Sequence, residues 1–212
     1  MIFFYTPTTC SLASNIALEE AGATFEARYI RLWKPEDVAE YRKINPRRTI
    51  PALQVGETIF TENTAILYYV AKSYPEAKLL PESVLDQTLC LSLIAWFSAS
   101  VHITRRQNRA PQYFTQDEAA QALISQTGKA GYWENMQKIE ALYAASPWLV
   151  ADQMTIADCY ALLFYDWGQR DEYDMASLQA FTAFKERMMA RPAVLRALER
   201  HRSPLLAQAD VT

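Results

Sequence analysis

The sequence is poor in the residues that build metal sites, disulfide frameworks and flexible linkers. Its 212 residues include three cysteines, two histidines and five glycines. Cys10, Cys90 and Cys159 are far apart, odd in number and without the spacing of metal ligands, and His102 and His201 are equally scattered. We therefore expect no metal site and no disulfide framework, a pattern that is typical of proteins of the reducing cytoplasm.

An excess of basic residues and long apolar runs are also missing. The formal net charge is −3 at pH 7, whereas proteins that bind nucleic acids or acidic membranes generally present a basic face. Apolar runs such as residues 89–97 are shorter than the roughly 20 residues that a membrane-spanning helix needs. The opening residues, Met-Ile-Phe-Phe-Tyr-Thr-Pro, lack the charged start of a signal peptide. The sequence thus predicts neither a nucleic-acid partner nor a membrane partner.

The first 75 residues have the pattern of a mixed α/β domain. Hydrophobic composition, at 50% of the chain, is sufficient for a substantial core. Alternating or apolar stretches predict strands, and residues with a period of 3.6 predict helices. In chain order these are a strand at 2–5, a helix at 11–21, a strand at 24–32, a short helix or irregular flap at 35–44, a hairpin at 50–55 and 58–61, and a helix at 62–74. This order is βαβ followed by ββα.

The rest of the chain carries helical patterns only. A stretch with a proline near each end separates the two parts, which predicts a domain at 1–75, a linker at 76–83 and an all-α domain at 84–212. The long pattern at 116–145 contains Gly128 and Gly131, which we expect to interrupt its helix. The predicted helices of this part are 84–108, 116–145, 155–167, 177–190 and 192–200.

Cys10 lies where the first strand gives way to the first helix. Free backbone N–H groups and the helix dipole favour negative charge at such a position. We therefore expect a lowered pKa for this thiol, which would make it a nucleophile or redox centre. The same position would stabilise the thiolate of a bound ligand. A buried structural cysteine is the equally weighted alternative.

The order βαβ-ββα, with Cys10 at the first helix and Pro51 at the start of the third strand, resembles the thioredoxin fold. Ala13 stands where a Cys-x-x-Cys motif has its second cysteine. A disulfide within the motif is therefore impossible, and any redox chemistry would pass through a mixed disulfide with an outside thiol such as glutathione.

Three further segments are similar to those of cytosolic glutathione transferases. They are Asn-Pro-Arg-Arg-Thr-Ile-Pro-Ala-Leu at 45–53, Thr-Glu-Asn-Thr-Ala-Ile-Leu-Tyr-Tyr at 61–69 and Thr-Ile-Ala-Asp at 155–158. The opening of the chain is similar to bacterial beta-class members in particular, and the resemblance extends over essentially the whole chain. It implies a thioredoxin-like α/β N-terminal domain followed by an all-α helical bundle, in a homodimer.

The resemblance also implies roles for residues of the first domain. The Ile50–Pro51 bond would be cis, so that the backbone there pairs with the cysteinyl part of glutathione. Glu62 and Asn63, at a helix start, would hold the γ-glutamyl group. Lys34 is a candidate for the glycine carboxylate, with a solvated surface lysine as the alternative.

The thiol itself would be activated by Tyr5, Cys10 or Ser11. No cofactor is implied, because glutathione is a co-substrate. Two chemistries remain open: conjugation of glutathione to a small hydrophobic electrophile, or thiol transfer through a Cys10–glutathione disulfide. A non-catalytic binding or regulatory protein of the same fold is the alternative.

The chain departs from the family pattern at two places. Arginines at 47 and 48 occupy the loop where the family has a glycine, which makes this loop stiffer and more basic. Arg105 and Arg106 stand where beta-class members have His-Lys, and His102 lies one turn earlier. His102 or Arg105 could reach the ligand, and a packed or solvated helix residue is the alternative for each. Thr155 and Asp158 form a capping box with a folding role.

Overall fold

A computed structural model describes the backbone of residues 1–211 and the side chains of residues 1–207. The first domain is a four-stranded mixed sheet in the order β2-β1-β3-β4, in which β1 is parallel to β2 and antiparallel to β3. This topology confirms the predicted thioredoxin-like fold. Its elements are β1 (Ile2–Tyr5), α1 (Ser11–Glu20), β2 (Glu26–Tyr29), α2 (Pro35–Ile44), β3 (Ala52–Val55), β4 (Thr58–Thr61) and α3 (Asn63–Ser73).

Strand β1 lies inside the sheet and separates two apolar layers. Successive side chains of a strand point to opposite faces. Phe3 therefore packs into the large core that includes α1 and α3, while Phe4 contacts the Tyr41 ring of α2 at 5.4 Å between centroids on the other face. Both phenylalanines are almost fully buried. This strand thereby fixes the two helix layers around the end of the sheet from which the Cys10 loop emerges.

Strand β2 is shorter than the sequence predicts. It covers Glu26–Tyr29 rather than 24–32, because it is an edge strand that pairs only with the four residues of β1. Its outward residues are exposed, and Arg28 and Glu26 form a surface ion pair. Beyond β2 the Ile30 N–H still donates to the Tyr5 carbonyl oxygen at 2.8 Å, and residues 31–32 continue the alternation past the end of β1.

The second domain is helical, as predicted. A short 3₁₀ turn at Pro75–Ala77 lies between α3 and α4, and π-helical residues Phe97–Val101 join α4 to α5 without a break. The helices are α4 (Val84–Trp96), α5 (His102–Arg109), α6 (Glu118–Ala145), α7 (Ile156–Arg170), α8 (Gln179–Met189) and α9 (Pro192–Arg200), with 3₁₀ turns at Pro111–Tyr113, Met175–Ser177 and Pro204–Val211.

Helix α6 runs through both of its glycines, so the predicted interruption was wrong. A Cβ on Gly128 would lie 2.5 Å from the backbone nitrogen of Asn108 and 2.7 Å from the carbonyl oxygen of Thr104. The backbones of α5 and α6 are therefore in close contact at Gly128. The glycine permits a close helix–helix contact instead of ending the helix.

The continuous helical segment Val84–Arg109 is long and apolar enough to cross a membrane by length and composition alone. The apolar runs of the sequence, taken one at a time, did not indicate this segment. Core helices of proteins that do not cross a membrane have similar length and composition, so a single such segment is weak evidence for a membrane-spanning helix. Its first turns carry the exposed side chains Val84, Leu85 and Leu89.

Helix α7 is the centre of the second domain, and nearly all of its residues are buried. The predicted capping box is present at its start. The Asp158 carboxylate accepts the Thr155 N–H at 2.8 Å, and the Thr155 hydroxyl oxygen accepts the Ala157 N–H at 3.3 Å. Asp158 also accepts the Tyr143 hydroxyl at 3.0 Å and the Leu149 N–H at 3.2 Å. The box thus ties α7 to the end of α6 and to the loop after it.

The two domains meet along α1, which packs on α7 and α9. Arg191 pairs with Glu20 at 2.7 Å, and Arg196 and Arg200 pair with Glu19 at 2.7 and 2.6 Å. Because α1 begins at the Cys10 loop, these contacts set the position of that loop relative to the helical domain.

Candidate functional site

Cys10 immediately precedes the first turn of α1 and is partly buried. Its thiol donates a hydrogen bond to the Ile50 carbonyl oxygen at 3.2 Å. The Ile50–Pro51 peptide bond is cis, as the family resemblance implies. The Ile50 N–H has no backbone partner within the described residues, because pairing of β3 begins at Ala52. Cys10 and residues 50–51 are thus brought together although 40 positions separate them.

The pKa of Cys10 moves opposite to the sequence expectation. Burial raises it from its ordinary value to about 12, and the Glu62 carboxylate adds to the rise. A backbone hydrogen bond at the helix start, the Arg106 charge and the Asn63 side chain lower this pKa by smaller amounts. Loss of water outweighs the helix terminus in this ligand-free structure. The side chain is therefore a neutral thiol and a hydrogen-bond donor.

Ser11 is fully buried, and its hydroxyl forms hydrogen bonds within the loop of residues 6–11. It donates to the Thr6 carbonyl oxygen at 3.1 Å and lies 2.8 Å from the Thr9 hydroxyl. The Thr6 hydroxyl in turn donates to the Ile30 carbonyl oxygen at 2.6 Å. These bonds fix the shape of residues 6–11 and leave the Ser11 hydroxyl without access to a ligand in this state.

The Tyr5 ring packs among aromatic side chains. Its ring packs against Phe3 at 6.1 Å, Tyr29 at 5.7 Å and His201 at 5.3 Å between centroids. None of these contacts involves Cys10. The structure places this side chain in the contact between the sheet and the end of α9.

Glu62 and Asn63 stand at the start of α3, close to Cys10. The Asn63 side chain is buried: its nitrogen donates to the Cys10 carbonyl oxygen at 2.9 Å and its oxygen accepts the Ser14 hydroxyl at 2.6 Å. This side chain braces the Cys10 loop and is not available to a ligand. Glu62 is exposed with a positive φ of 70°, and the first N–H groups of α3 have no hydrogen-bond partner within the described residues. Lys34 is exposed at the start of α2.

Arg105 has partners inside the helical domain. Its guanidinium donates to the Asp171 carboxylate at 2.7 and 3.2 Å and lies 4.1 Å from the centre of the Trp167 ring. The Trp167 indole N–H donates to the Thr8 carbonyl oxygen at 3.2 Å. His102 packs on the same indole at 5.0 Å between centroids. Trp167 thus connects α5 to the Cys10 loop. Its hydrogen bond to Thr8 joins residues 159 positions apart, which a local sequence pattern does not predict.

His102 is neutral in this setting. Burial, together with the charges of Arg106 and Arg105, lowers its pKa to about 4. Arg106 is the residue of this helix whose charge reaches both His102 and Cys10, and it is exposed. The sequence pointed to His102 or Arg105 as the residue that reaches the ligand, whereas Arg106 is the exposed residue of these three.

Comparison with known proteins agrees with this arrangement. The family model for the glutathione S-transferase N-terminal domain matches residues 9–73, and that for the glutathione S-transferase C-terminal domain matches residues 99–192. The glutathione S-transferase GstA of Escherichia coli is 29% identical over 202 residues, which cover 93% of this chain and 97% of that protein.

Solved structures give the same result. A sphingomonad glutathione S-transferase complexed with glutathione superimposes with a TM-score of 0.83 at 29% identity, covering 95% of this chain and 98% of that one. A beta-class glutathione S-transferase of Sphingomonas chungbukensis gives 0.84 at 25% identity, with coverage of 95% and 98%. With both domain matches in order, and relatives aligned over nearly the full length, the chain belongs to the glutathione S-transferase family and is a glutathione transferase.

Proposed function

We propose that the cleft beside Cys10 binds glutathione and directs its thiol at a small hydrophobic electrophile held between the two domains. The observation that carries this proposal is the neutral Cys10 thiol, which donates to Ile50 at the junction of the cis-proline turn and the α3 start. A donor at this point can stabilise the thiolate of a bound glutathione.

The backbone of Ile50 would hold the cysteinyl part of glutathione. Its N–H has no backbone partner in the described part of the chain, and its carbonyl oxygen has a second lone pair beyond the one that Cys10 uses. A tripeptide laid against this segment would add a short strand-like pairing. The cysteinyl N–H would bond to that second lone pair, and the Cys10 S–H would turn from Ile50 to donate to the glutathione sulfur.

The ends of glutathione have matching charges around the cleft. The free N–H groups at the start of α3 suit the γ-glutamyl carboxylate, and the exposed Glu62 carboxylate suits its α-amino group. Lys34 supports binding of the glycine carboxylate. Asn63 contributes through the position it gives to Cys10 and α3 rather than through its side chain.

Conjugation is favoured over thiol transfer by the protonation state of Cys10. Thiol transfer needs the Cys10 thiolate as the attacking group, and a pKa of about 12 leaves little thiolate at neutral pH. Conjugation needs only a hydrogen-bond donor beside the glutathione thiolate. In this reading Ser11 and Tyr5 support the loop and sheet that carry Cys10.

Cys10→Ala and Cys10→Ser discriminate the two chemistries. We expect Cys10→Ala to lower glutathione conjugation by about tenfold to a hundredfold through loss of one donor, and Cys10→Ser to restore much of it. Reduction of a glutathione mixed disulfide would be weak in the wild type. Thiol transfer that is fast in the wild type and absent in both variants, with conjugation unchanged, would reverse the assignment.

The exposed apolar face of α4 supports a homodimer. Leu85 is 70% exposed and Leu89 48% exposed, and the adjoining hollow of about 320 Å³ is lined by Glu62, Tyr68 and Leu91 among others. A second copy packed there would cover apolar surface and adjoin the γ-glutamyl site. We expect Leu85→Asp combined with Leu89→Asp to halve the mass seen by light scattering. A wild-type monomer at all concentrations would contradict the dimer.

A cytoplasmic setting fits the proposed chemistry. Cys10, Cys90 and Cys159 are all unpaired thiols, which supports a reducing cytoplasmic location. Conjugation of electrophiles there would serve detoxification. Ordinary glutathione is then the co-substrate, and no separate cofactor is needed.

A further inference from the structure

Three arginines lie in α5, and they have different surroundings. Arg105 and Arg109 both pair with Asp171, at 2.7 and 3.5 Å, and the Asp171 side chain is only 2% exposed. Arg106 has no carboxylate within ion-pair distance among the described side chains, and it is exposed. Its guanidinium lies over the ring of Tyr113 at 5.1 Å, and Tyr113 is itself 73% exposed.

Arg106 lies on the same face of α5 as His102. It is one helical turn from His102, which packs on Trp167, and Trp167 is hydrogen-bonded to the Thr8 carbonyl oxygen of the Cys10 loop. The Arg106 charge also lowers the pKa of both Cys10 and His102, so its field reaches the thiol. Arg106, which has no carboxylate partner among the described side chains, thus forms an exposed pair with the Tyr113 ring, and its charge acts on Cys10.

This pair is suited to one kind of second substrate. An aromatic or conjugated electrophile could stack on Tyr113 while a carboxylate on it accepts hydrogen bonds from the Arg106 guanidinium, which favours bidentate pairing with carboxylates. Glutathione does not need this cation, because its charged ends are matched at the α3 start and at Lys34 in the function proposed above.

We propose that Arg106 makes the second-substrate site selective for electrophiles that carry a carboxylate. The inference rests on the proposed conjugation activity and names its substrate class. In the reaction the glutathione sulfur forms a bond to the electrophilic carbon. For a chloroarene the carbon–chlorine bond then breaks, chloride leaves with the bonding electron pair, and the thiol proton passes to water.

Two chloroarenes that differ in charge at one position test the proposal. The probes are 4-chloro-3,5-dinitrobenzoate and its neutral carboxamide, each assayed at saturating glutathione with the uncatalysed rate subtracted. The measured quantity is the ratio of kcat/KM for the anion to kcat/KM for the amide. We expect the Arg106→Gln variant to lower this ratio by about tenfold or more, the scale of one charge-assisted hydrogen bond.

Matched variants isolate the position. Arg106→Lys retains the charge and should keep most of the ratio. Arg109→Gln removes the same charge one turn away on the same helix, from a residue paired with Asp171, and should leave the ratio unchanged. Thermal unfolding of each variant checks that the fold is retained.

Several outcomes overturn the inference. A ratio that is equal in the wild type and Arg106→Gln would do so, as would an equal loss in Arg109→Gln. A higher KM for glutathione in Arg106→Gln with an unchanged ratio would assign the arginine to glutathione instead. If the wild type conjugates the amide, the proposed function stands whatever the ratio shows; if it conjugates neither probe, both fail together.

Discussion

At Cys10, two physical effects act on one sulfur atom in opposite directions. A charge at a helix terminus is stabilised by about 0.3–1 kcal/mol in ordinary settings, whereas removal of an ionisable group from water can raise its pKa by several pH units. Burial is the largest cause at Cys10, and it prevails. The residue is therefore better suited to donate a hydrogen bond than to attack as a thiolate.

The ionisation of Cys10 can be measured directly. We predict that alkylation of Cys10 by iodoacetamide in the ligand-free protein stays slow up to about pH 9 and shows no midpoint near neutrality, because only the thiolate reacts. The rate is taken from mass spectrometry of the Cys10 peptide, with Cys10→Ala as the blank. An alkylation midpoint below about pH 8 would show that the helix terminus dominates.

Residue identity predicted part of the site and could not predict the rest. Cys10 and the Ile50–Pro51 turn follow from motif order and spacing. The Asn63 side chain was expected to face a ligand but turns inward to Cys10 and Ser14, and Arg105 is held by Asp171. These partners lie up to 66 positions away in the sequence. A local sequence pattern does not predict which distant residue a side chain will contact.

At the scale of elements, the second domain depends on close helix contacts and on a well-made helix start. Helix types and order followed from periodicity, and the bounds differ from the predictions mainly at strand β2 and within α6. In both cases the prediction used a local sequence pattern, whereas tertiary contacts determined the observed bounds. A strand ends where its partner ends, and a glycine inside a helix can serve packing.

Gly128 and Gly131 form a matched pair for testing that point. Gly128→Ala should destabilise the protein by about 1–3 kcal/mol, since its Cβ would meet the Asn108 and Thr104 backbone. A Cβ on Gly131 meets only the Thr104 side chain at 3.1 Å. Gly131→Ala should therefore be neutral or stabilising by up to about 1 kcal/mol through helix propensity.

Urea unfolding followed by circular dichroism measures both free energies of unfolding. Equal effects of the two substitutions would contradict the close approach of α5 and α6 at Gly128. A loss of about 1 kcal/mol in the free energy of unfolding of both variants would contradict it as well. A clear difference in the predicted order would confirm that glycine is required at only one of the positions.

The capping box of α7 gives a second prediction at this scale. Thr155→Ala removes the hydroxyl that accepts the Ala157 N–H and donates to Asp158 at 2.9 Å. We expect a loss of about 1 kcal/mol in the free energy of unfolding. Thr155→Ser keeps both bonds and should lose less. Glutathione binding should be unchanged in each folded variant, and a variant that lost binding alone would point to a direct role.

At the scale of the whole molecule, two histidines are held neutral where the domains meet. His201 is almost fully buried between Tyr5 and the end of α9, and neither ring nitrogen has a hydrogen bond within the described part of the chain. Burial, with the charges of Arg200 and Arg170, lowers its pKa to about 3. The unfolded chain binds the proton at a higher pH, near the ordinary value.

Acid should therefore destabilise the protein through His201. Stability that is complete above about pH 6.5 is lost as the pH falls toward 3, by on the order of 1 kcal/mol per pH unit. The carboxyl of Asp158, whose pKa is raised to about 6, acts in the opposite sense. Because Asp158 is present in both proteins, its contribution cancels when the wild type is compared with His201→Leu. His201→Gln serves as a variant with a polar, non-titrating side chain.

The measurement is the free energy of unfolding at several values between about pH 7 and about pH 4. We predict a flatter pH dependence in both variants than in the wild type. Parallel curves for all three proteins would mean that His201 gains a proton without cost, in conflict with its buried and unpartnered position.

Glutathione binding tests the account at its centre. Calorimetric titration of the wild type with glutathione should give one site per chain, and about 5 mM glutathione should raise the midpoint of thermal unfolding, because a ligand that binds the folded state stabilises it. Glu62→Gln should weaken both effects. No heat of binding and no thermal shift in the wild type at this concentration would contradict the assignment of the Cys10 cleft as a glutathione site.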